Sequence, residues 1–416
     1  MTVTLGIDFG TSGVRAIALD GTGQVLAQSR APYQIEVIAT WQPALWHVLS
    51  QISPGICAQV EAIALDATSA TVLLTDQHGH PFGKPLLYRD ACPPELTTHL
   101  TAIAPPGHIA ATATSSFSKY LQLSQAGVQG DFWHQADWLG FLLHGQRGIS
   151  DWHNTLKLGF DPETLAYGDW VAQNTALHLP ATVLPPGAAI APLQPKVREQ
   201  FGFAPDCWVC AGTTDSTAAF LAATGTPTIG TAVTSLGSTM VLKILGDRRL
   251  DDSRYGLYSH RLDLEGQTHW LIGGGSNTGG IILHHLFGDR LPTLTAQIDP
   301  TVPCPELYCN YYPLASPGER FPICDPQKAT QLTPRPAQDE LFLYGILTSL
   351  ARIERRGYDL LQNLGAPVPH SLFTVGGGAQ NFIWTYLRAQ LMPFLRSPIH
   401  PEAAYGAALL ARSFHK

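Results

Sequence analysis

The sequence predicts a two-domain α/β protein, and three observations carry that expectation. The chain has 416 residues, too many for one core, and its apolar content of 45% is enough to fill two. Short apolar strands alternate with helix-like segments along its length, the pattern of a layered α/β architecture. A strand, a turn of Gly, Ser and Thr, and a second strand occur near the start and again near the middle, as a duplicated domain requires.

The first such unit is "LGIDFGTSGVRAIALDGTGQVL", residues 5–26. Val3, Leu5 and Ile7 alternate before Asp8, and Val14, Ala16 and Ala18 alternate after Gly10-Thr11-Ser12-Gly13, which predicts an antiparallel hairpin. Glycine in the turn lets successive backbone N–H groups converge into a nest for an anion, and a carboxylate beside it suits the cation that accompanies a polyphosphate. Taken alone, the stretch equally fits an ordinary hairpin with a solvated aspartate. "VEAIALDATSATVLLTDQHGHP", residues 60–81, reads as strand, polar turn, strand, a hairpin of the same design.

Residues 118–127 and 137–145 have helical apolar spacing with glycine near the end. The proline-rich stretch 179–195 is expected to be an ordered loop, followed by a short helix in "VREQFGF" and a strand in "CWVCAG". That strand runs to Gly212, and Asp215 stands at the start of the next helix, where an aspartate commonly acts as a cap. "AVTSLGSTMVL", residues 232–242, repeats the strand, turn and strand through Thr234–Thr239. "FTVGGGAQNFIWTYLRAQL", residues 373–391, runs from a strand through three glycines into an amphipathic helix, whose free N–H groups and bare backbone admit a flat ring.

Charge and composition exclude several classes. Net charge is -7 without a basic run, so nucleic acid is not an expected partner. No basic leader and no apolar stretch of membrane length appear, so a soluble cytoplasmic protein with no membrane partner is expected. Seven scattered cysteines argue for a reducing compartment, with Cys207 and Cys210 read as buried thiols. A GxxxxGK[ST] motif is absent, which excludes a P-loop enzyme, and His284 and His285 lack partners at metal-ligand spacing.

In order and residue type these segments resemble the FGGY carbohydrate kinases of the sugar kinase/Hsp70/actin superfamily. "GIDFGTSGVRA" resembles the first phosphate motif, "AGTTDSTAAFLA" the segment with the catalytic aspartate, "TSLGSTMVL" the second phosphate motif and "GGGAQNFIW" the adenosine motif. "SDWHNTLKLGFDPET" resembles the sugar-domain loop and "EAAYGAALLA" the closing helix. "LDATSATVLLTD" and "LLYRDACP" look most like the short branch that includes D-ribulose kinase and xylulose-kinase-like proteins.

The resemblance implies a two-lobed actin-like ATPase fold of duplicated ribonuclease-H-like domains with an interlobe cleft. Residues 1–224 would form the sugar lobe and 225–416 the ATP lobe, the last helix being free to pack back on the first lobe. It implies ATP and Mg²⁺ as cofactors and phosphorylation of a ketopentose. D-ribulose to D-ribulose 5-phosphate comes first, D-xylulose second, and a sugar-responsive ATPase or sensor is the rival of another class. Asp215 would be the base for the sugar hydroxyl, and Asp8 would hold Mg²⁺, directly or through water, and touch the sugar. Gly10, Thr11, Ser12, Gly237, Ser238 and Thr239 would bind phosphates. Gly377, Gly378, Asn381 and Trp384 would bind adenosine, with Trp384 either stacking or core. Ser69 would contact the sugar together with Asp8 and Asp215. Arg89, Asp90, Trp41, His153 and Asn154 stay open as sugar contacts, and the expected state is a monomer or weak homodimer.

Overall fold

The computed structural model describes residues 2–11, 13–125, 129–174 and 177–413. The chain divides into two compact units, Met1–Gly225 with Glu402–Lys416, and Thr226–Pro401.

The first unit is built on a seven-stranded sheet in the order Ala189–Pro192, Trp208–Cys210, Val60–Ala67, Val3–Gly10, Gly13–Leu19, Val25–Ala31, with Thr213–Thr214 also paired to Val60–Ala67. Val3–Gly10 and Gly13–Leu19 form the expected antiparallel hairpin, with Gly10 opposite Gly13. Val3, Leu5 and Ile7 pack in a core with Trp41, Leu45, Trp138 and Leu139. The other face is closed by the helix Ala403–Arg412. It lies so near the strand that a Cβ on Gly6 would fall 2.0 Å from the Ala404 carbonyl oxygen and 2.2 Å from the Ala408 nitrogen. A side chain at residue 6 would therefore force helix and strand apart.

Residues 60–81 are not a hairpin. Val60–Ala67 pairs in parallel with Val3–Gly10 on one side and with Trp208–Cys210 and Thr213–Thr214 on the other. Both edges are occupied, so the chain leaves through Thr68–Thr71, and Val72–Thr75 joins a separate three-stranded sheet with Pro81–Leu86 and Asp131–His134. The stretch 179–195 also departs from a plain loop. Thr182–Leu184 pairs with Ile149–Asp151 and Ala189–Pro192 with Trp208–Cys210. Pro185, Pro186 and Pro195 lie outside these short strands and Pro192 ends the second, where a missing N–H is tolerated. The two helices form as Ser116–Gln125 and Gln135–His144, the latter closed by left-handed Gly145. The expected end of the former at Gly127 lies outside the described residues.

The second unit holds a six-stranded sheet in the order Tyr258–Leu264, Gln267–Ser276, Met240–Gly246, Thr231–Leu236, Ser371–Val375, Leu395–Arg396. Thr231–Leu236 has an antiparallel hairpin partner, Met240–Gly246, and a parallel partner, Ser371–Val375. Val3–Gly10 has the same pair of neighbours in the first unit, Gly13–Leu19 and Val60–Ala67, so both sheets share one local topology. Cys207 and Cys210 are buried free thiols. Among the described residues no helix is long and apolar enough to cross a membrane.

Candidate active site

Three carboxyl groups converge at one end of the first unit's large sheet. Asp8 and Asp66 lie directly opposite each other on the parallel strands Val3–Gly10 and Val60–Ala67, and Thr213 is opposite Asp66 on its other side. The step from Ala211 to Thr213 passes so close to Val60–Ala67 that a Cβ on Gly212 would sit 2.3 Å from the Leu65 carbonyl oxygen. Asp215 follows as the first residue of the helix Asp215–Thr224, half-buried, with its Oδ1 accepting from the Ser216 N–H at 2.7 Å. The N-cap is Thr214, so Asp215 does not occupy the capping position itself.

Asp8 and Asp66 are both buried, at 4% and 0% exposure. Neither Asp66 oxygen meets a conventional donor. Its neighbour is the Asp8 carboxyl, so a hydrogen bond joins the two only while one of them carries a proton. Burial is the main force raising both acids above the usual carboxylate range, and for Asp66 the adjacent Asp8 charge adds to it. Asp215 is near enough to raise both further, while Arg15 lowers both. Arg15 bridges two acids, with Nη1 3.4 Å from Asp8 Oδ2 and Nε 2.8 Å from Glu402 Oε2. Gly10 overhangs the Asp8 carboxylate, whose oxygens lie 3.4 and 3.5 Å from where a Cβ would stand. Thr11 is exposed at the turn, and Ser12 lies outside the described residues.

Sequence reasoning missed Asp66 although a signal was present: like Asp8, it ends an apolar strand and is followed closely by Thr-Ser. Ser69 is half-buried in the Thr68–Thr71 turn that follows Asp66. His153 Nδ1 meets Thr213 Oγ1 at 2.6 Å, and Asn154 Nδ2 donates to Asp151 Oδ2 at 2.6 Å and to the Thr213 carbonyl at 3.3 Å. Both therefore brace the approach to Asp215. Arg89 is exposed and paired with Glu36, Asp90 accepts from the Leu87 N–H at 2.8 Å, and Trp41 is core.

In the second unit, the turn Gly237-Ser238-Thr239 is held by the Gly237 N–H donating to the Thr239 carbonyl at 3.1 Å, with Ser238 and Thr239 exposed. The glycine turn packs onto the same hairpin. Gly376 has a φ of 87°, and a Cβ there would lie 2.8 Å from the Leu236 carbonyl oxygen, so glycine serves both conformation and space. Gly377 faces open space and Gly378 is wedged between Leu236 and Trp384. Trp384 is fully buried in the core of this unit, leaving no face for a nucleotide. Of the two readings of Trp384, stacking or core, this burial favours the core, because residue 384 falls on the core side of the helix Phe382–Leu391. Asn381 caps that helix, its Oδ1 accepting from the Trp384 N–H at 3.0 Å.

Residues 232–413 match the family described as "FGGY family of carbohydrate kinases, C-terminal domain". That stretch is similar to the C-terminal domain of this family. Solved structures with the same fold include a xyloylose kinase from Brucella ovis, 19% identical, with a TM-score of 0.85 over 99% of this chain and 90% of that one. A gluconate kinase from Lactobacillus acidophilus is 16% identical, with a TM-score of 0.83 over 99% and 89%. A glycerol kinase from Plasmodium falciparum with ADP is 16% identical, with a TM-score of 0.81 over 99% and 89%. The chain shares its fold with these three kinases, and the FGGY match covers the second hairpin, the glycine turn and the helix Ala403–Arg412.

Proposed function

We propose that the chain is an ATP-dependent kinase that phosphorylates a ketopentose, D-ribulose to D-ribulose 5-phosphate in the first instance. The observation that carries this reading is the convergence of Asp8, Asp66 and Asp215 beside the glycine turn of the first hairpin. A neutral alcohol is a poor nucleophile, and half-buried Asp215 is the acid of the three best exposed to take its proton as the hydroxyl attacks. Phosphoryl transfer otherwise depends on positioning and on neutralising charge. Ser69, on the turn after Asp66, is suited to bind a sugar hydroxyl, and Asp8 to touch the sugar as well.

Magnesium fits the donor set in a particular way. Among the described residues no three His, Cys, Asp or Glu side chains form a metal cage. Asp8, with the unsatisfied Asp66 beside it, supplies the hard oxygens that a water-retaining Mg²⁺ accepts, and such an ion neutralises charge on phosphate oxygens when bound. In the second unit Gly237, Ser238 and Thr239 are proposed to bind phosphate, and Gly377 and Gly378, with Asn381 at the helix start, the adenosine. D-xylulose is the second reading, favoured by the several xylulose kinases among the structural neighbours. An assay of ADP release and sugar phosphate over D-ribulose, D-xylulose, glycerol and gluconate tests the reading. The highest kcat/KM on D-ribulose supports it, D-xylulose ahead moves the substrate to the second reading, and ATP turnover with no sugar phosphate leaves the sugar-responsive ATPase.

A further inference from the structure

Lys119 is a buried lysine with no carboxylate in ion-pair distance among the described residues. It is 1% exposed, on the helix Ser116–Gln125, and its Nζ donates to two main-chain carbonyls, those of Ala70 and Leu87, each at 2.6 Å. Burial pushes its amine down to about 7, with Lys157 adding to the effect. A cation placed there without a countercharge costs stability, so its contacts must offset that cost.

Those contacts hold two turns together. Ala70 stands in the Thr68–Thr71 turn with a φ of 61°, a left-handed conformation that a residue with a Cβ rarely adopts. Leu87 opens the next turn, where its carbonyl also accepts from the Asp90 N–H at 2.9 Å. The Tyr88 N–H donates to Thr71 Oγ1 at 3.2 Å, and Thr71 Oγ1 lies 2.6 Å from Thr68 Oγ1, which donates to Gln135 Oε1 at 3.0 Å. Gln135 Nε2 donates to the Tyr33 hydroxyl at 3.3 Å, and that hydroxyl donates to the Gly10 carbonyl at 2.9 Å. The donors run in one consistent direction from the Leu87–Asp90 turn, through the Ser69 turn, to the turn of the first hairpin. Each hydroxyl gives one bond and receives one, so no member is free to rotate away.

We infer that Lys119 is a positioning residue for the acceptor sugar. Its ammonium pins the strained Ala70 backbone and, with the chain Thr71, Thr68, Gln135 and Tyr33, sets Ser69 in register with the turn at Gly10. The inference rests on the proposed reading that Ser69 contacts the sugar. Lys119→Met keeps the aliphatic stem and removes both donors, while Thr71→Val removes only the hydroxyl that joins the turns. Misplacing a binding group by about 1 Å costs on the order of 100-fold, so sugar kcat/KM should fall roughly 10- to 100-fold in Lys119→Met, chiefly through KM, with the ATP KM within about twofold of wild type. Thr71→Val should show the same split at smaller size, and it decides the matter if Lys119→Met does not fold. Amide exchange should quicken in peptides covering 68–75 and 86–92. Exchange unchanged in both segments, or an ATP KM rising in step with the sugar KM, would overturn the inference. If the wild-type chain phosphorylates no ketose, the functional reading falls, and the exchange measurement, which needs no sugar, still decides on Lys119.

Discussion

Replacing Glu354 by Ala should unfold the second unit at a much lower temperature and weaken ATP binding. Glu354 and Arg388 are both 0% exposed and form a two-point ion pair, Nε to Oε2 at 2.5 Å and Nη2 to Oε1 at 2.7 Å. The pair reaches further through hydroxyls. Thr234 Oγ1 donates to Glu354 Oε1 at 2.6 Å, Tyr358 lies 2.8 Å from Thr234, and Arg388 Nη1 donates to Thr374 Oγ1 at 2.7 Å. One network therefore ties the strand Thr231–Leu236, the strand Ser371–Val375, the helix Asp339–Asn363 and the helix Phe382–Leu391. These are the elements that carry the second hairpin and the glycine turn. Removing the carboxylate leaves a guanidinium buried without a countercharge, a loss of about 3–5 kcal/mol. For a unit of this size each kcal/mol moves the melting temperature by about 2–4 °C, so a drop of roughly 6–20 °C is expected by calorimetry. The double variant Glu354→Gln/Arg388→Met should melt closer to wild type than the sum of its single changes, because it removes both charges. A Glu354→Ala protein melting within about 2 °C of wild type, or strictly additive changes, would mean that the buried pair does not hold these elements together.

Other outcomes follow from the same contacts. Trp384→Ala should cost about 3–5 kcal/mol in urea unfolding, as loss of a large core ring does, and any loss of ATP affinity should track unfolding rather than appear in the folded protein. Asp66→Asn should stabilise the protein increasingly as pH rises from the ordinary carboxylate value of 3.8 into the raised range of the folded acids. The sign follows from the raised acids: the folded state keeps protons that the unfolded chain releases above its ordinary value of 3.8, so the wild type loses stability as pH climbs through that interval. A difference in melting temperature between Asp66→Asn and wild type that is constant across that range would contradict the assignment.

The two hairpins were legible in the sequence because alternation and glycine turns are local signals, and Asp8 and Asp215 stood out as acids at strand ends. Asp66 was not singled out, because its meaning comes from the strand that pairs beside it in register, a non-local fact. The same cause misdirected residues 60–81. Alternation predicted two strands correctly, but which sheet each joined depended on edges already filled by Trp208–Cys210 and Thr213–Thr214. Trp384 illustrates a different limit. An aromatic at the third residue of a helix reads the same whether it faces solvent or core, and only the packing of Leu236 and Gly378 against it decides. Lys119 gave no signal at all, since nothing local marks a lysine that will be buried against main-chain carbonyls.

Sugar phosphate formed by Asp215→Asn against wild type decides whether this chain moves a phosphoryl group from ATP to a sugar hydroxyl with Asp215 as the base. The amide keeps the size of the side chain and an acceptor for the Ser216 N–H, so the melting temperature should hold. Loss of a general base lowers the rate by roughly 10²–10⁴-fold, and sugar phosphate should fall by that much while ATP still binds. A variant that melts like wild type and forms sugar phosphate at the wild-type rate would remove Asp215 from the chemistry.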